Sequence, residues 1–354
     1  MNTTTVFIEA LDVLFLRGNQ HFGSAGAHGA ALMPPWPSLA AGALRSRLMA
    51  AGHTIESLHD FRLTHFGLAR LQSHTAQTGA PASAPAWAEP LLPLPADLMV
   101  TSDAPNLARY ARPTPLHPAV RSSHTLEQLA VQALPQPAKP VGGLWLNGQG
   151  IGAWQAGQAI GAAHLIQSSK LWRIDERLGI ALDPHSRSAA DGKIYTAEAV
   201  ALQAGVGLLA SYVGAPALPA QTLLRLGGDG RAGVLHSPRF NLPAPDWARI
   251  ERERRFRLLL RTPGLFANGW QPDGIPAHLV AASVGRSETV SGWDLLTGAP
   301  KPAQRLAPAG SVYWFDTLTD PAALRHLLDN GLPLPDGSRR AEGFNHCLIA
   351  PWVA

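Results

Sequence analysis

The chain has 354 residues and a net charge of +4, with 46% apolar residues and only 15% charged ones. That length holds one large domain or two ordinary ones, and the apolar share is enough for real cores. A single cysteine excludes an internal disulfide and any cysteine-based zinc site, and no run of about eighteen apolar residues marks a membrane span. The first residues lack the basic start and apolar core of a secretory signal, so a cytoplasmic setting is expected.

Residues 6–16 alternate β-branched, aromatic and aliphatic side chains and predict a strand that ends in a turn at Arg17-Gly18-Asn19-Gln20. A loop of small residues follows. Pro34-Pro35-Trp36-Pro37 then blocks helix, Ser38 offers an N-cap, and residues 39–49 predict a helix. Residues 72–140 are rich in proline, alanine and serine, and predict a long insertion that is at most partly ordered. A hairpin is expected next, with strands at 177–183 and 194–202 and a projecting turn at 184–193. A strand at 206–212 and a short helix at 219–226 follow it.

After that helix, Gly227-Gly228-Asp229-Gly230-Arg231 leads into a strand that Pro238 stops. The resulting order is strand, helix, strand, strand, helix, strand, which is that of a ferredoxin-like unit. A second round is expected from strands at 256–260, 279–284 and 311–315, a helix at 321–328 capped by Asp320, and a last strand at 347–352. Before that strand, residues 336–346 repeat the glycine and arginine loop in weaker form. The helix after the first strand of this round has no signal.

Gly228, Gly230 and Gly233 spell the dinucleotide pattern, but no helix can follow them before Pro238. A tight turn and a nest of backbone N–H groups facing phosphate both remain open. Arginine supplies a fork of donors that fits phosphate. Two loops of this kind suggest a duplicated unit that grips a polyanion. Arg17, His21, Arg45 and Arg47 lie near the end of the first strand and the helix that begins at Ser38, where free N–H groups could face an anion.

The densest basic run holds Arg249, Arg252, Arg254, Arg255, Arg257 and Arg261. It reads either as a self-paired surface or as a strand with Arg255 and Arg257 on its outer face. Of ten tryptophans, Trp36 and Trp293 flank loops and could stack on bases. His53, His59 and His65 read as surface or core residues. His21 and His346, beside the loops, are the two that could serve acid–base chemistry on RNA.

Several blocks resemble the third subunit of the type III-B CRISPR effector (Cmr) complex, in the repeat-associated (RAMP) superfamily. They are Leu11-Asp12-Val13-Leu14-Phe15-Leu16-Arg17, then residues 34–45, 179–183 and 192–198, Leu226-Gly227-Gly228-Asp229-Gly230-Arg231, Gly292-Trp293-Asp294-Leu295, Lys301-Pro302 and residues 308–315. The resemblance implies two fused ferredoxin-like (RRM-like) domains, 1–245 and 246–354, the first carrying the 72–140 insertion. It implies a non-catalytic subunit that holds the 5′ handle of the CRISPR RNA and docks the large polymerase-domain subunit and a backbone RAMP subunit. Neither metal nor cofactor is expected. The expected RNA-binding residues are Arg17, His21, Ser38, Arg45, Gly228, Gly230, Arg231, Arg286 and Trp293. Two other readings stay open: a metal-independent endoribonuclease that processes guide precursors, with His21 or His346 as its acid or base, and a protein-docking subunit with no RNA affinity of its own.

Overall fold

The computed structural model describes residues 3–18, 28–72, 86–119, 125–134, 136–183, 185–294 and 298–353. The chain is a mixed α+β protein built on two antiparallel sheets. In chain order the elements used below are β1 (Thr4–Ala10), α1 (Ser38–Ala50), β2 (Arg62–Gln72), β3 (Trp87–Pro93), β4 (Leu144–Leu146), α2 (Gly148–Gln155), β5 (Leu165–Gln167), β6 (Trp172–Leu182), β7 (Ala189–Leu202), β8 (Val206–Val213), β9 (Leu223–Arg225) and β10 (Ala232–His236). The remainder are α3 (Trp247–Glu253), β11 (Phe256–Leu260), β12 (His278–Ser283), β13 (Val312–Asp316), α4 (Pro321–Asn330) and β14 (Cys347–Ala350).

The first sheet has the order β5-β4-β3-β2-β8-β1-β10-β9, and the second β12-β13-β11-β14. The central strands are mostly apolar because both their faces are covered; all eight residues of β8 and all five of β11, Arg257 included, are buried. On one face of the first sheet, Val6, Ile8, Leu208 and Ala210 pack with Ala40, Ala41, Leu44 and Leu48 of α1. On one face of the second, Phe256, Leu258 and Leu260 pack with Ile250 of α3 and Leu324 of α4.

The other face of the second sheet corrects the expected insertion. Residues 86–119 and 128–131 are ordered and carry β3 and the short strands Leu98–Thr101, Ala104–Tyr110, Arg112–Pro115 and Gln128–Val131. Leu98 and Val100, with Ile151 and Trp154 of α2, pack against Leu259, Val312, Trp314 and Leu348. Proline-rich composition hid these strands because their prolines lie at edges and ends, where no ladder N–H is required.

That cover also corrects the expected outer face of β11. Period-two alternation holds, but the face that carries Arg257 is roofed by the 86–155 region instead of water. Arg257 is fully buried. It pairs with Asp97 and donates to the Pro351 carbonyl at 3.0 Å and the Trp154 carbonyl at 2.9 Å. The Trp154 indole N–H completes the network by donating to Asp97 at 2.9 Å. A buried ion pair persists when its donors and acceptors are filled in this way.

Three further expectations differ. The predicted helix at 219–226 is strand β9, paired with β10, so the glycine loop closes a hairpin. Helix α1 has Pro37 as its N-cap with no side-chain cap bond, and Ser38 is its first residue. The long hairpin pairs in one register from Trp172 to Ile180 and shifts register before Leu182, and its connection is shorter than 184–193 because pairing continues to Leu182 and Ala189. The Asp320 cap holds: its carboxylate accepts the Ala323 N–H at 2.9 Å. Among the described residues no helix is long and apolar enough to cross a membrane.

Candidate nucleic-acid interface

An open groove of about 1210 Å³ lies between α1, the β9–β10 hairpin and a segment of the second half around Trp293. Three features of sequence make its walls. Helix α1 turns its apolar residues to the core, which leaves Ser38, Gly42, Arg45, Ser46 and Met49 on the groove side at helical spacing. No atom lies within 4 Å of where a Cβ on Gly42 would sit, so another backbone can come close to the helix there.

The second wall is the glycine loop. Gly227 has φ +76°, and a Cβ on it would lie 2.9 Å from the Phe15 carbonyl oxygen. The Gly228 N–H donates to that same oxygen at 3.0 Å. The loop therefore lies flat against the strand end at Phe15 and Leu16. Its alternation sends Leu224 inward and leaves Arg225 exposed on the groove. The third wall is the short hairpin of Trp293–Asp294 with Ala299–Pro300, closed by the Lys301 N–H donating to Gly292 O at 2.8 Å. Trp293 is 59% exposed, a large apolar surface left open at the rim.

Among the described lining residues are Arg17, Arg45, Arg47, Arg225 and Lys301, against the carboxylates Asp294 and Glu342. Lys301 Nζ is held by Glu342 at 2.5 Å. The Nε of Arg45 is shielded from water and has no hydrogen-bond partner among the described residues, an unused donor on the groove wall. The arrangement suits a polyanion strand: excess positive charge, small residues that admit a backbone, and one free aromatic face.

Of the residues expected from sequence, Arg17, Ser38, Arg45, Gly228 and Trp293 come together here. Gly230 is exposed at the hairpin tip and does not line the groove. Arg231 lies beside it, over the Phe15 ring and paired with Asp12. Arg286 is exposed outside the groove, and His21 lies outside the described residues. Sequence reading missed Gly42, Arg225 and Lys301. Arg225 was hidden by assigning its segment to a helix, where alternation gives no sidedness.

The C-terminal loop leaves Gly337 and Arg340 exposed but turns Arg339 inward. It is the 3₁₀ turn Gly337–Glu342 followed by buried Asn345 and His346. Arg339 is 1% exposed. It bonds to Gln304 and Glu342 and to the carbonyls of Val290, Ser291 and Pro302. The reading of two equivalent anion-gripping loops is corrected here: the first lays its backbone along the groove, and the second reaches the groove through Glu342 while its Arg339 is turned to the interior. His346 is buried, and its Nε2–H donates to the Leu63 carbonyl at 3.0 Å. Burial, and then the nearby Arg261 guanidinium, push its pKa down to about 3. It is neutral at ordinary pH and sealed from substrate. Among the described residues no group of three or more metal-ligating side chains forms.

The sequence matches the CRISPR-associated protein family Cas_Cmr3 over residues 6–352. The chain belongs to that family. Two solved structures are similar to it. One is a chain of a type III-B Cmr-beta complex bound to cognate target RNA and AMPPnP, at 14% identity and TM-score 0.47, covering 88% of this chain and 86% of that one. The other is a chain of a type III-B Cmr-beta complex bound to cognate target RNA, at 16% identity and TM-score 0.48, with the same coverage. No curated protein matches the chain significantly.

Proposed function

We propose that this Cas_Cmr3 family member is a non-catalytic RNA-binding scaffold of a type III-B interference complex, and that the groove holds the sugar-phosphate of the CRISPR RNA 5′ handle. The observation that carries the reading is the groove itself. It gathers five cationic side chains, a small-residue helix face and an exposed tryptophan where the two sheets' loops meet. Arg45 and Arg225 contact phosphate, and Trp293 stacks on a base. His346 is held neutral in the interior, which supports a scaffold over an RNA-cleaving enzyme.

We read the fold as two ferredoxin-like units, 1–245 and 246–354, the first carrying the 72–140 segment. The antiparallel orders β2-β8-β1-β10 and β12-β13-β11-β14 support it, because each has the first and third strands of its unit in the centre. Each unit keeps one of the two expected helices, α1 in the first and α4 in the second. Within the complex the subunit docks the large polymerase-domain subunit and a backbone RAMP subunit in the cytoplasm.

The test is a filter-binding titration of the full chain with a short single-stranded RNA at several salt concentrations. Replacing Arg45 and Arg225 with alanine weakens binding, and the slope of log affinity against log salt falls by about 0.7 for each lost phosphate contact. An unchanged slope removes the groove as the RNA site. Site-specific cleavage of the RNA in EDTA overturns the non-catalytic reading.

A further inference from the structure

The environment of Arg231 carries an inference that rests on the groove reading and extends it. Three guanidinium groups crowd one ring: Arg17, Arg177 and Arg231 lie 5.7, 5.9 and 5.3 Å from the Phe15 centroid. Phe15 is buried, so the ring is a fixed post that positions the cations and offers no stacking surface to a base. Phe15 and Arg17 line the groove, and Arg231 stands just past its edge.

Arg231 is paired with the carboxylate of Asp12. Asp12 is set for this contact. Its Oδ1 accepts the Val13 N–H at 2.7 Å, which orients the carboxylate, and Oδ2 faces Arg231. The Asp12 side chain is 55% exposed, against 24% for Arg231. The pair thus lies at the water boundary, where an ion pair is weak and exchangeable. Carboxylate and phosphate present the same kind of acceptor oxygens to a guanidinium. The Nε of Arg231 is shielded from water and has no partner among the described residues, so the carboxylate leaves this donor unused.

We propose that Asp12 is a built-in phosphate mimic. It occupies Arg231 in the free protein, and a phosphate of bound RNA replaces it. The consequence is selectivity. A strand seated in the groove delivers a phosphate to Arg231 at high local concentration and displaces the carboxylate. A polyanion that only brushes the surface must compete with Asp12 unaided. Asp12 is then a specificity-determining residue that lowers non-specific binding.

The experiment compares wild type with Asp12→Asn, which keeps the Oδ1 acceptor for Val13. Asp229→Asn serves as the control, because it removes the same charge from the hairpin loop that carries Arg231, at a residue already in a left-handed conformation, φ +63°. The probes are an RNA carrying the guide 5′ end and a polyuridine of equal length, titrated at several salt concentrations. Asp12→Asn is expected to tighten polyuridine several-fold and guide RNA less, and to steepen the polyuridine salt slope by about 0.7 for the phosphate gained. Asp229→Asn moves both probes equally and by less. In an Arg231→Gln background the gain from Asp12→Asn disappears. If Asp12→Asn matches Asp229→Asn, or its gain survives without Arg231, the exchange is wrong while the groove stands. If Arg45→Ala also leaves wild-type binding unchanged, the groove reading falls with it.

Discussion

The loops at 227–231 and 337–346 carry the same kinds of residue and lie in opposite surroundings. The first closes a hairpin at the free edge of its sheet, so Gly230 meets water, and Arg231 reaches an exposed carboxylate and a ring. The second is covered on one side by the first sheet: a Cβ on Gly343 would lie 2.8 Å from the Leu63 Cβ. It is covered on the other by Val290, Ser291 and Pro302, whose carbonyls take the Arg339 donors. A guanidinium in a glycine-rich loop announces a demand for acceptors. Whether ligand or protein meets that demand depends on whether the loop lies at a sheet edge or between two bodies.

The strongest way to break this contrast is to remove each arginine. Arg339→Ala removes the donor of three backbone carbonyls and of one Glu342 oxygen, whose other oxygen keeps Lys301, and should cost about 3–5 kcal/mol. Arg231→Ala loses a pair at the water boundary and should cost under about 1 kcal/mol. Urea denaturation of both variants measures the difference. Equal losses would mean that the two loops have the same structural role. Arg339 also holds Ser291 and Pro302, beside the Trp293 wall, so its loss should weaken RNA binding indirectly, as a fall in the folded fraction.

The interior between the two sheets should also show itself through pH. His65 and His346 are both buried near Arg261, and burial holds both well below the ordinary histidine value, His346 at about 3. In the unfolded chain each takes up a proton as pH falls through about 6.5, and the folded state refuses it. The unfolded state therefore binds more protons in this window, and stability rises with pH there. It is level above about pH 7.5 and declines on acidification, by about 1.4 kcal/mol per pH unit for each histidine. For His346 the decline runs down to about pH 3. His346→Gln keeps a donor for Leu63 O and should remove that residue's share of the slope between pH 6.5 and 5. A parallel curve for the variant would show that His346 titrates normally and that its surroundings are wet.

How much of this was legible in sequence follows from which forces act locally. Strands β1, β8, β11 and β13 were readable because short runs dominated by β-branched, aromatic and aliphatic residues have few other uses, and α4 because Asp320 caps it. Strand β9 was misread because Leu223-Leu224-Arg225 is too short for its period to decide, and its identity comes from pairing with β10. Arg257 was misplaced for a different reason. Alternation put it on the second face of β11, but only the distant Asp97 and Trp154 reveal that this face is roofed. The groove was half legible. Arg17, Arg45, Gly228 and Trp293 stood out as residue types near turns. That they share one surface depends on the two sheets meeting, which no window of sequence contains.

The smallest effect sharpens the same contrast at the two tryptophans expected to meet bases. Trp36 lines the groove, but its indole N–H donates to Glu288 at 2.8 Å, and the ring packs among Leu265, Val290 and Phe344. Trp293 has no such cover. Stacking on a base is worth about 1–3 kcal/mol by alanine substitution, so Trp293→Ala should weaken single-stranded RNA binding by that amount. Trp293→Phe should recover most of it, with the melting temperature unchanged in both. Trp36→Phe should do the reverse, lowering stability through the orphaned Glu288 carboxylate and leaving the affinity of the folded protein nearly intact. If Trp36→Phe instead costs affinity at constant stability, the bases enter the groove from the proline-rich side of α1, and the Trp293 hairpin is a bystander wall.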